Sequence, residues 1–220
     1  MPFKDLKERE KEQRRNYILD AAEKMFFSRG YDSVSMDDIA REICLNKATL
    51  YIYFKNKESL FFAVVLRGAL ILNAMIKERI KQCKSGMEIL DAIGIAYFEF
   101  LGKYPDYSRA YLYFRSDRFS IEDKESLCDD AKRVLELRDE EFSIVCSAIK
   151  SGIDEGTIRP DLDPVEVTVF LTLIVKALTE MRPNFKKVLE SRGIAPYQFF
   201  KDAAGFVHYM LANTEKKGTK

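Results

Sequence analysis

Residues 35–54 read SMDDIAREICLNKATLYIYF and contain two short segments in which apolar side chains recur at helical spacing. Ser35 and Asp38 have the spacing of a capping box, which predicts that the first helix begins after Ser35. Asn46 is a favoured N-cap, so the second helix is expected to begin directly after it. The chain therefore makes a tight turn near Cys44, between two helices of about eight residues each.

The second of these helices begins with small and polar side chains, as does the recognition helix of a helix-turn-helix. Ala48 and the methyl group of Thr49 can contact a thymine methyl group in the major groove, and the Thr49 hydroxyl can bond to a base. Leu50 and Phe54 lie four residues apart and are expected to pack inward. Tyrosines and lysines would contact phosphates, and Ser35 would contribute an anion site at a helix N-terminus. The predicted DNA-binding residues are Ser35, Asn46, Lys47, Ala48, Thr49, Tyr51, Tyr53, Lys55 and Lys57.

Residues 18–60, ILDAAEKMFFSRGYDSVSMDDIAREICLNKATLYIYFKNKESL, resemble the N-terminal domain of the TetR family of repressors. The resemblance implies a three-helix DNA-binding head, a fourth connecting helix and an all-helical body that binds a small-molecule effector. It also implies a homodimer on a near-palindromic operator. Effector binding would move the fourth helix and change the separation of the two heads, which must lie about 34–36 Å apart to enter successive major grooves.

The turn departs from the family at one position, because Cys44 stands where glycine is usual. A left-handed residue other than glycine costs on the order of 1 kcal/mol, so the turn is either strained or different in geometry. A thiol at this position can act as a redox switch, or it can simply be a small side chain that the turn tolerates.

The rest of the chain predicts further helices and an all-α fold of about nine helices. The expected division is a DNA-binding domain over residues 1–56 and a ligand-binding and dimerisation domain over residues 57–220. The first helix is expected from Lys11 to Arg29. The later helices are expected over residues 57–83, 87–103, 107–118, 121–151, 164–181 and 196–213.

Aromatic side chains are dense between Tyr97 and Phe119, and tyrosines can hydrogen-bond a ligand while packing around its apolar parts. The alternative is ordinary core packing. The acidic pairs Asp129-Asp130 and Glu140-Glu141 are interpreted as solvated helix faces. A pocket would have few fixed charges and would take a hydrophobic or aromatic effector. Its predicted lining is Leu66, Leu70, Tyr97, Phe98, Leu101, Tyr104, Tyr111, Phe114 and Phe142.

The segment VEVTVFLTLIVKALTEM, residues 165–181, is apolar around most of its circumference, and the last helix carries an apolar stripe. Such helices must be covered on nearly all sides, either within the monomer or by a second copy of the chain. The resemblance favours the second copy. The predicted dimer contacts are Phe170, Ile174, Leu178, Phe199, Ala203, Phe206, Val207 and Met210.

Composition limits the remaining classes of function. Hydrophobic residues make up 47% and charged residues 32%, which is typical of a globular protein. One histidine and four dispersed cysteines predict neither a metal site nor a cofactor. A membrane span and a signal peptide are not expected either, and the interpretation is a cytoplasmic protein. The predicted function is a ligand-responsive repressor. The alternative is an enzyme or small-molecule carrier with an incidental DNA-binding head, although no catalytic constellation supports it.

Overall fold

The computed structural model describes residues 2–116, 118–119 and 127–214, with side chains from Leu6 onward. Over these residues the chain is helical, and its β-structure is limited to one isolated bridge between Ile158 and Ala212. The all-α prediction is confirmed. The described helices are α1 (Pro2–Arg29), α2 (Met36–Glu42), α3 (Lys47–Tyr53), α4 (Lys57–Ile80), α5 (Gly86–Lys103), α6 (Pro105–Phe114), α7 (Asp129–Asp154), α8 (Pro164–Thr179), α9 (Pro183–Ser191) and α10 (Pro196–Leu211).

Several helix boundaries differ from those expected, most by two to four residues. Helix α1 begins at Pro2 instead of near Lys11, because the charged N-terminal segment continues the helix. The expected start of the seventh helix at Ile121 lies outside the described residues. Helix α9 was not predicted. Pro183 occupies its first turn, and the left-handed Gly193 (φ 68°) follows its end, so both terminal signals are present in the sequence.

The contacts divide the chain into two compact units. The first comprises Met1–Leu70 and Tyr104–Glu136, and its core is rich in aromatic rings. Phe61 packs edge-on against Phe26 with ring centroids 5.5 Å apart, and Phe62 packs edge-on against Phe114 at 5.1 Å. Such pairs add about 0.5–1.5 kcal/mol each beyond the burial of their surface. The head is therefore packed into one core with α6 and the start of α7.

A polar cluster joins α1, α4 and α6 inside this first unit. The Arg67 guanidinium lies 2.6 Å from an Asp20 oxygen and 3.1 Å from a Glu23 oxygen. The Tyr107 hydroxyl donates to the same Glu23 carboxylate at 2.7 Å. Helix α6 approaches α4 closely at Gly68, where a Cβ atom would lie 2.8 Å from Cβ of Tyr107. Glycine is thus required for this contact between the helices.

The second unit comprises Ile71–Lys103 and Leu137–Lys220. One of its buried clusters joins α7, α8 and α10 through Ile149, Val167 and Leu211. Another joins α4 and α5 through Ile76 and Ile93. These clusters show that α8 and α10 each bury only one face within the chain.

Helix α4 is the one described helix whose composition bears on the expected absence of a membrane span. It is long and apolar enough, by length and composition alone, to cross a membrane, and no other helix in the described residues meets this test. Half of the most apolar 18-residue stretch of α4 is buried inside the protein, and Arg67 of this helix is paired with carboxylates of α1. These features are those of a core helix.

Candidate nucleic-acid interface and effector region

The turn between α2 and α3 has the hydrogen bonds of a Schellman motif. The Leu45 N–H donates to the Ala40 carbonyl at 2.9 Å, and the Cys44 N–H donates to the Arg41 carbonyl at 3.2 Å. Cys44 has φ 54°, so it holds the left-handed conformation that glycine usually supplies. Of the two outcomes expected for this turn, the structure shows the strained one, with the usual geometry kept.

Side-chain caps fix the beginnings of both helices, as predicted. At α2, the Ser35 hydroxyl accepts from the Asp38 N–H at 3.1 Å, and the Ser35 N–H donates to the Asp38 carboxylate at 3.0 Å. The Ser35 hydroxyl also donates to that carboxylate, at 2.6 Å, which lowers the pKa of Asp38. Ser35 gives both of its donors to Asp38, and the anion site expected at this helix N-terminus stays a prediction.

At α3, the Asn46 side-chain oxygen accepts from both the N–H and the hydroxyl of Thr49, each at 2.8 Å. The cap predicted from the sequence is therefore present. The Thr49 hydroxyl thus donates its proton within the chain, whereas its oxygen and its methyl group remain able to contact a base.

Helix α3 presents one face to solvent and one to the core. Leu50 and Phe54 are buried, as predicted, and Thr49 and Tyr53 are half-buried. The exposed side chains include Ile52, which sequence reasoning missed and which is 71% accessible. Ile52 follows Ala48 by one helical turn, and this spacing was the available signal. The exposed residues of this segment are Asn46, Lys47, Ala48, Tyr51, Ile52 and Lys55.

Asp37 forms an ion pair with Lys47, one of the predicted DNA-binding residues. The Lys47 ammonium lies 2.8 Å from Asp37, and this hydrogen-bonded pair raises the pKa of Lys47. Both residues line an open cleft of about 360 Å³, together with Tyr51 and the loop before α2. Lys47 remains half-exposed, so a phosphate would compete with Asp37 for its ammonium.

Lys57 lies in a different setting from the one expected. Its ammonium donates to the carbonyls of Tyr31 at 3.0 Å and Val34 at 2.9 Å, and it lies 4.1 Å from the centre of the Tyr31 ring. It thus ties the start of α4 to the loop before α2. Two of its three N–H groups are bonded within the chain and one remains, so its assignment as a phosphate contact stays a prediction.

The same loop is held from α6. The Tyr113 hydroxyl donates to one oxygen of Asp32 at 2.7 Å, and the Arg118 guanidinium lies 2.5 Å from the other. Helix α6 and the loop after it therefore contact the three-helix head directly, through groups that the sequence analysis did not single out.

Residues 18–64 match the family model described as bacterial regulatory proteins, tetR family. Over these residues the chain is similar to the TetR family. The match covers the whole helix-turn-helix and the start of α4, which are the elements that form the interface just described.

Curated TetR-type relatives match the chain to different extents. The transcriptional activator FasR of Mycolicibacterium smegmatis is 31% identical over 41% of this chain and 42% of its own length. The uncharacterised regulator YhgD of Bacillus subtilis is 29% identical over 73% of this chain and 78% of its own. The biofilm operon negative regulator IcaR of Staphylococcus aureus is 37% identical over 38% of this chain and 44% of its own. Two of these three relatives therefore match over less than half of their length.

Solved TetR-type structures share the fold of nearly the whole chain. The ketosteroid regulator KstR2 of Mycobacterium tuberculosis has a TM-score of 0.66 at 20% identity, covering 90% of this chain and 95% of its own. AibR in complex with isovaleryl coenzyme A and operator DNA has a TM-score of 0.65 at 20% identity, covering 88% and 97%. At this identity the likeness establishes the fold.

The residues predicted to line an effector pocket belong to both units. Phe114 is fully buried in the core of the first, and Leu70 is 46% exposed. In the second unit, the ring of Phe98 packs against Tyr197 and Phe200 of α10, each at 4.8 Å between centroids. The members of the first unit are Leu66, Leu70, Tyr104, Tyr111 and Phe114, and those of the second are Tyr97, Phe98, Leu101 and Phe142.

Two of the acidic residues interpreted as solvated are not. Asp130 is half-buried and lies 2.7 Å from Arg15. Oε1 of Glu141 is buried and contacts no hydrogen-bond partner among the described residues. Burial raises the pKa of Glu141 to about 7, and a hydrogen bond from Tyr97 partly opposes the rise. The interpretation of Glu141 was wrong because helical position alone does not report which face a neighbouring helix covers.

The predicted dimer residues are exposed to different degrees. Phe206 is 72% accessible and Phe170 44%, whereas Val207 packs partly against the buried cluster of α7 and α8. Ile174, Leu178, Phe199 and Ala203 are half-buried, and Met210 is exposed. Further apolar side chains, not predicted, are exposed on the same helices: Val165, Val169 and Leu173 on α8 and Tyr197 and Tyr209 on α10.

Proposed function

We propose that the chain is a homodimeric repressor in the cytoplasm, which binds a near-palindromic operator and releases it when a small-molecule effector binds. The observation that carries the proposal is the exposed face of α3, with Lys47, Ala48, Tyr51 and Ile52 directed outward while Leu50 is anchored in the core. A rigid helix with small side chains near its start can enter the major groove.

The packing of the first unit supplies a route for regulation. Tyr113 and Arg118 hold Asp32 of the head, and Tyr107 holds Glu23 of α1. A displacement of α6 would therefore displace the head with it. In a dimer such a movement changes the distance between the two recognition helices, and coupling free energies of about 1–3 kcal/mol are typical of such systems.

The relatives support regulation rather than catalysis, which favours the repressor over the enzyme or carrier. FasR is named an activator and IcaR a negative regulator. Measuring transcription from a bound promoter with and without the chain therefore tests whether the chain represses or activates. The division into a DNA-binding domain over residues 1–56 and an effector and dimerisation domain over residues 57–220 remains part of this proposal.

DNA selection tests the proposed function. Purified chain is used to enrich duplexes from a random pool, and the enriched sites are expected to carry inverted half-sites about 10–10.5 base pairs apart, or a multiple of that spacing. The logarithm of the affinity is expected to fall steeply with the logarithm of salt concentration, with a slope of about −0.9 per neutralised phosphate. Lys55→Ala serves as the contact variant and is expected to reduce that slope by about 1 on every sequence. Absence of enrichment, or a flat salt response, would overturn the proposal.

A further inference from the structure

Glu141 of the second unit has a buried carboxyl group, and one of its two oxygens lacks a hydrogen-bond partner among the described residues. Oε1 is inaccessible to solvent and lacks a hydrogen-bond partner among the described residues, whereas the Tyr97 hydroxyl provides a hydrogen bond to the side chain. A buried carboxyl oxygen without a hydrogen-bond partner destabilises the fold. A protein recovers that cost when a ligand supplies the missing donor.

The surroundings of Glu141 are apolar. Ile144 and Val145 lie one turn further along α7, and both pack with Tyr97 of α5 around a cluster centred on Ile76 and Ile93. Side chains from α4, α5 and α7 thus converge on one region of the second unit. A ligand in this region would meet aliphatic and aromatic walls with one acidic group among them.

Several charged side chains of α4, α5 and α7 already have partners. Glu140 lies 3.2 Å from Lys77 of α4, and Glu99 of α5 forms an ion pair with Arg79 of α4. The causes of the raised pKa of Glu141 are burial and Tyr97, without a contribution from a cation. No described group bonds to Oε1, so this oxygen is available to accept a hydrogen bond from a ligand.

We propose that Glu141 anchors the effector, and that the effector is an organic cation, a protonated amine on an apolar body. This rests on the proposed function, and it refines the effector class from merely hydrophobic to cationic. The ammonium N–H would donate to Oε1, while Tyr97 keeps its own bond to the carboxylate. An ion pair formed away from water is strong, so the carboxylate would discriminate against neutral and anionic molecules of the same shape.

Matched pairs of probes test the proposal. Hexylamine, octylamine and decylamine are titrated into the full-length chain by calorimetry, and each is compared with the alcohol of the same length. We expect at least one amine to bind, with an affinity about tenfold or more above that of its alcohol, which corresponds to a charge-assisted hydrogen bond. Equal affinities, or no binding by any amine, would overturn the proposal.

Two glutamine variants assign the effect to one residue. Glu141→Gln keeps the size of the side chain and removes its charge, and it is expected to lower amine affinity about tenfold while alcohol affinity is unchanged. Glu140→Gln makes the same change one residue away and is expected to behave as the natural chain does. Loss in both variants, or in neither, would contradict the role of Glu141. DNA binding is measured separately, so a failure here leaves the proposed function standing.

Discussion

At the scale of single residues, the conformation of the recognition segment depends on hydrogen bonds and backbone geometry within the chain. Asn46 accepts two hydrogen bonds from Thr49, Lys57 is bonded to two carbonyls, and Cys44 holds a left-handed backbone. Asn46 and Cys44 fix the start of α3 and the turn before it, and Lys57 fixes the start of α4 against the loop before α2. The local geometry of the recognition segment therefore depends on these contacts within the chain.

Substitution at Cys44 measures the strain in the turn. Glycine adopts φ 54° without steric cost, so Cys44→Gly is expected to raise the free energy of unfolding by about 0.5–1 kcal/mol after the larger entropy of the unfolded chain is subtracted. Cys44→Ala keeps the strain and is expected to change stability by less than about 0.5 kcal/mol. Urea denaturation measures both, and an alanine variant as stable as the glycine variant would refute the strain.

Two substitutions at Thr49 separate its hydroxyl from its methyl group. Thr49→Val keeps a methyl group but loses the bond to Asn46, so it is expected to retain base preference. Thr49→Ser keeps the bond and loses the methyl group, so it is expected to weaken preference for thymine by about 1 kcal/mol at the contacted position. Competition binding with sites mutated at one base pair measures this, and the opposite ranking would assign readout to the hydroxyl.

At the scale of helices, periodicity and capping residues predicted most boundaries. Ser35 and Asn46 predicted the starts of α2 and α3 because a cap is a local interaction between residues three apart. Helix α9 was missed although Pro183 and Gly193 mark its ends, and none of its nine residues is buried.

Contacts distant in sequence could not be predicted in the same way. The bonds of Lys57 to the loop before α2, and of Asp32 to α6, depend on how helices pack. Glu141 was placed at the surface because one acidic residue in α7 resembles another until the neighbouring helices are known.

The close approach of α6 to α4 can be tested at Gly68. Alanine there would place Cβ 2.8 Å from Cβ of Tyr107, so Gly68→Ala is expected to lower the free energy of unfolding by about 1–3 kcal/mol. Gly94 of α5 has open space around its added Cβ, and Gly94→Ala is expected to raise stability by about 0.5–1 kcal/mol. Thermal or urea unfolding compares the two, and changes of the same sign would contradict the contact.

At the scale of the whole molecule, the exposed apolar side chains of α8 and α10 favour a second copy of the chain as their cover. Leu173 is 58% accessible and Phe206 is 72% accessible, while the opposite faces of both helices are buried in one cluster. Two helices from each of two chains can pack as a four-helix interface.

Charge placed on these faces is expected to separate the subunits. Leu173→Glu and Phe206→Glu should each raise the dimer dissociation constant at least about tenfold, because a carboxylate would be buried in an apolar contact. Lys201→Glu changes the charge of α10 without removing an apolar side chain and is the matched control. Sedimentation velocity measures the mass, and a dimer undisturbed by either apolar substitution would place the interface elsewhere.

The thiol of Cys44, in the strained turn, is also a site at which a spectroscopic label can be attached to measure distances. Cys44 is solvent-exposed, whereas Cys83, Cys128 and Cys146 are half-buried, and burial raises the pKa of the first two of these half-buried thiols. Once Cys83, Cys128 and Cys146 are replaced, a nitroxide or fluorophore attached at Cys44 would lie just before α3 in each subunit. In the proposed dimer, the distance between the two labels would then report the separation of the two recognition helices in solution. It could be measured with each candidate ligand in turn, in the absence of DNA.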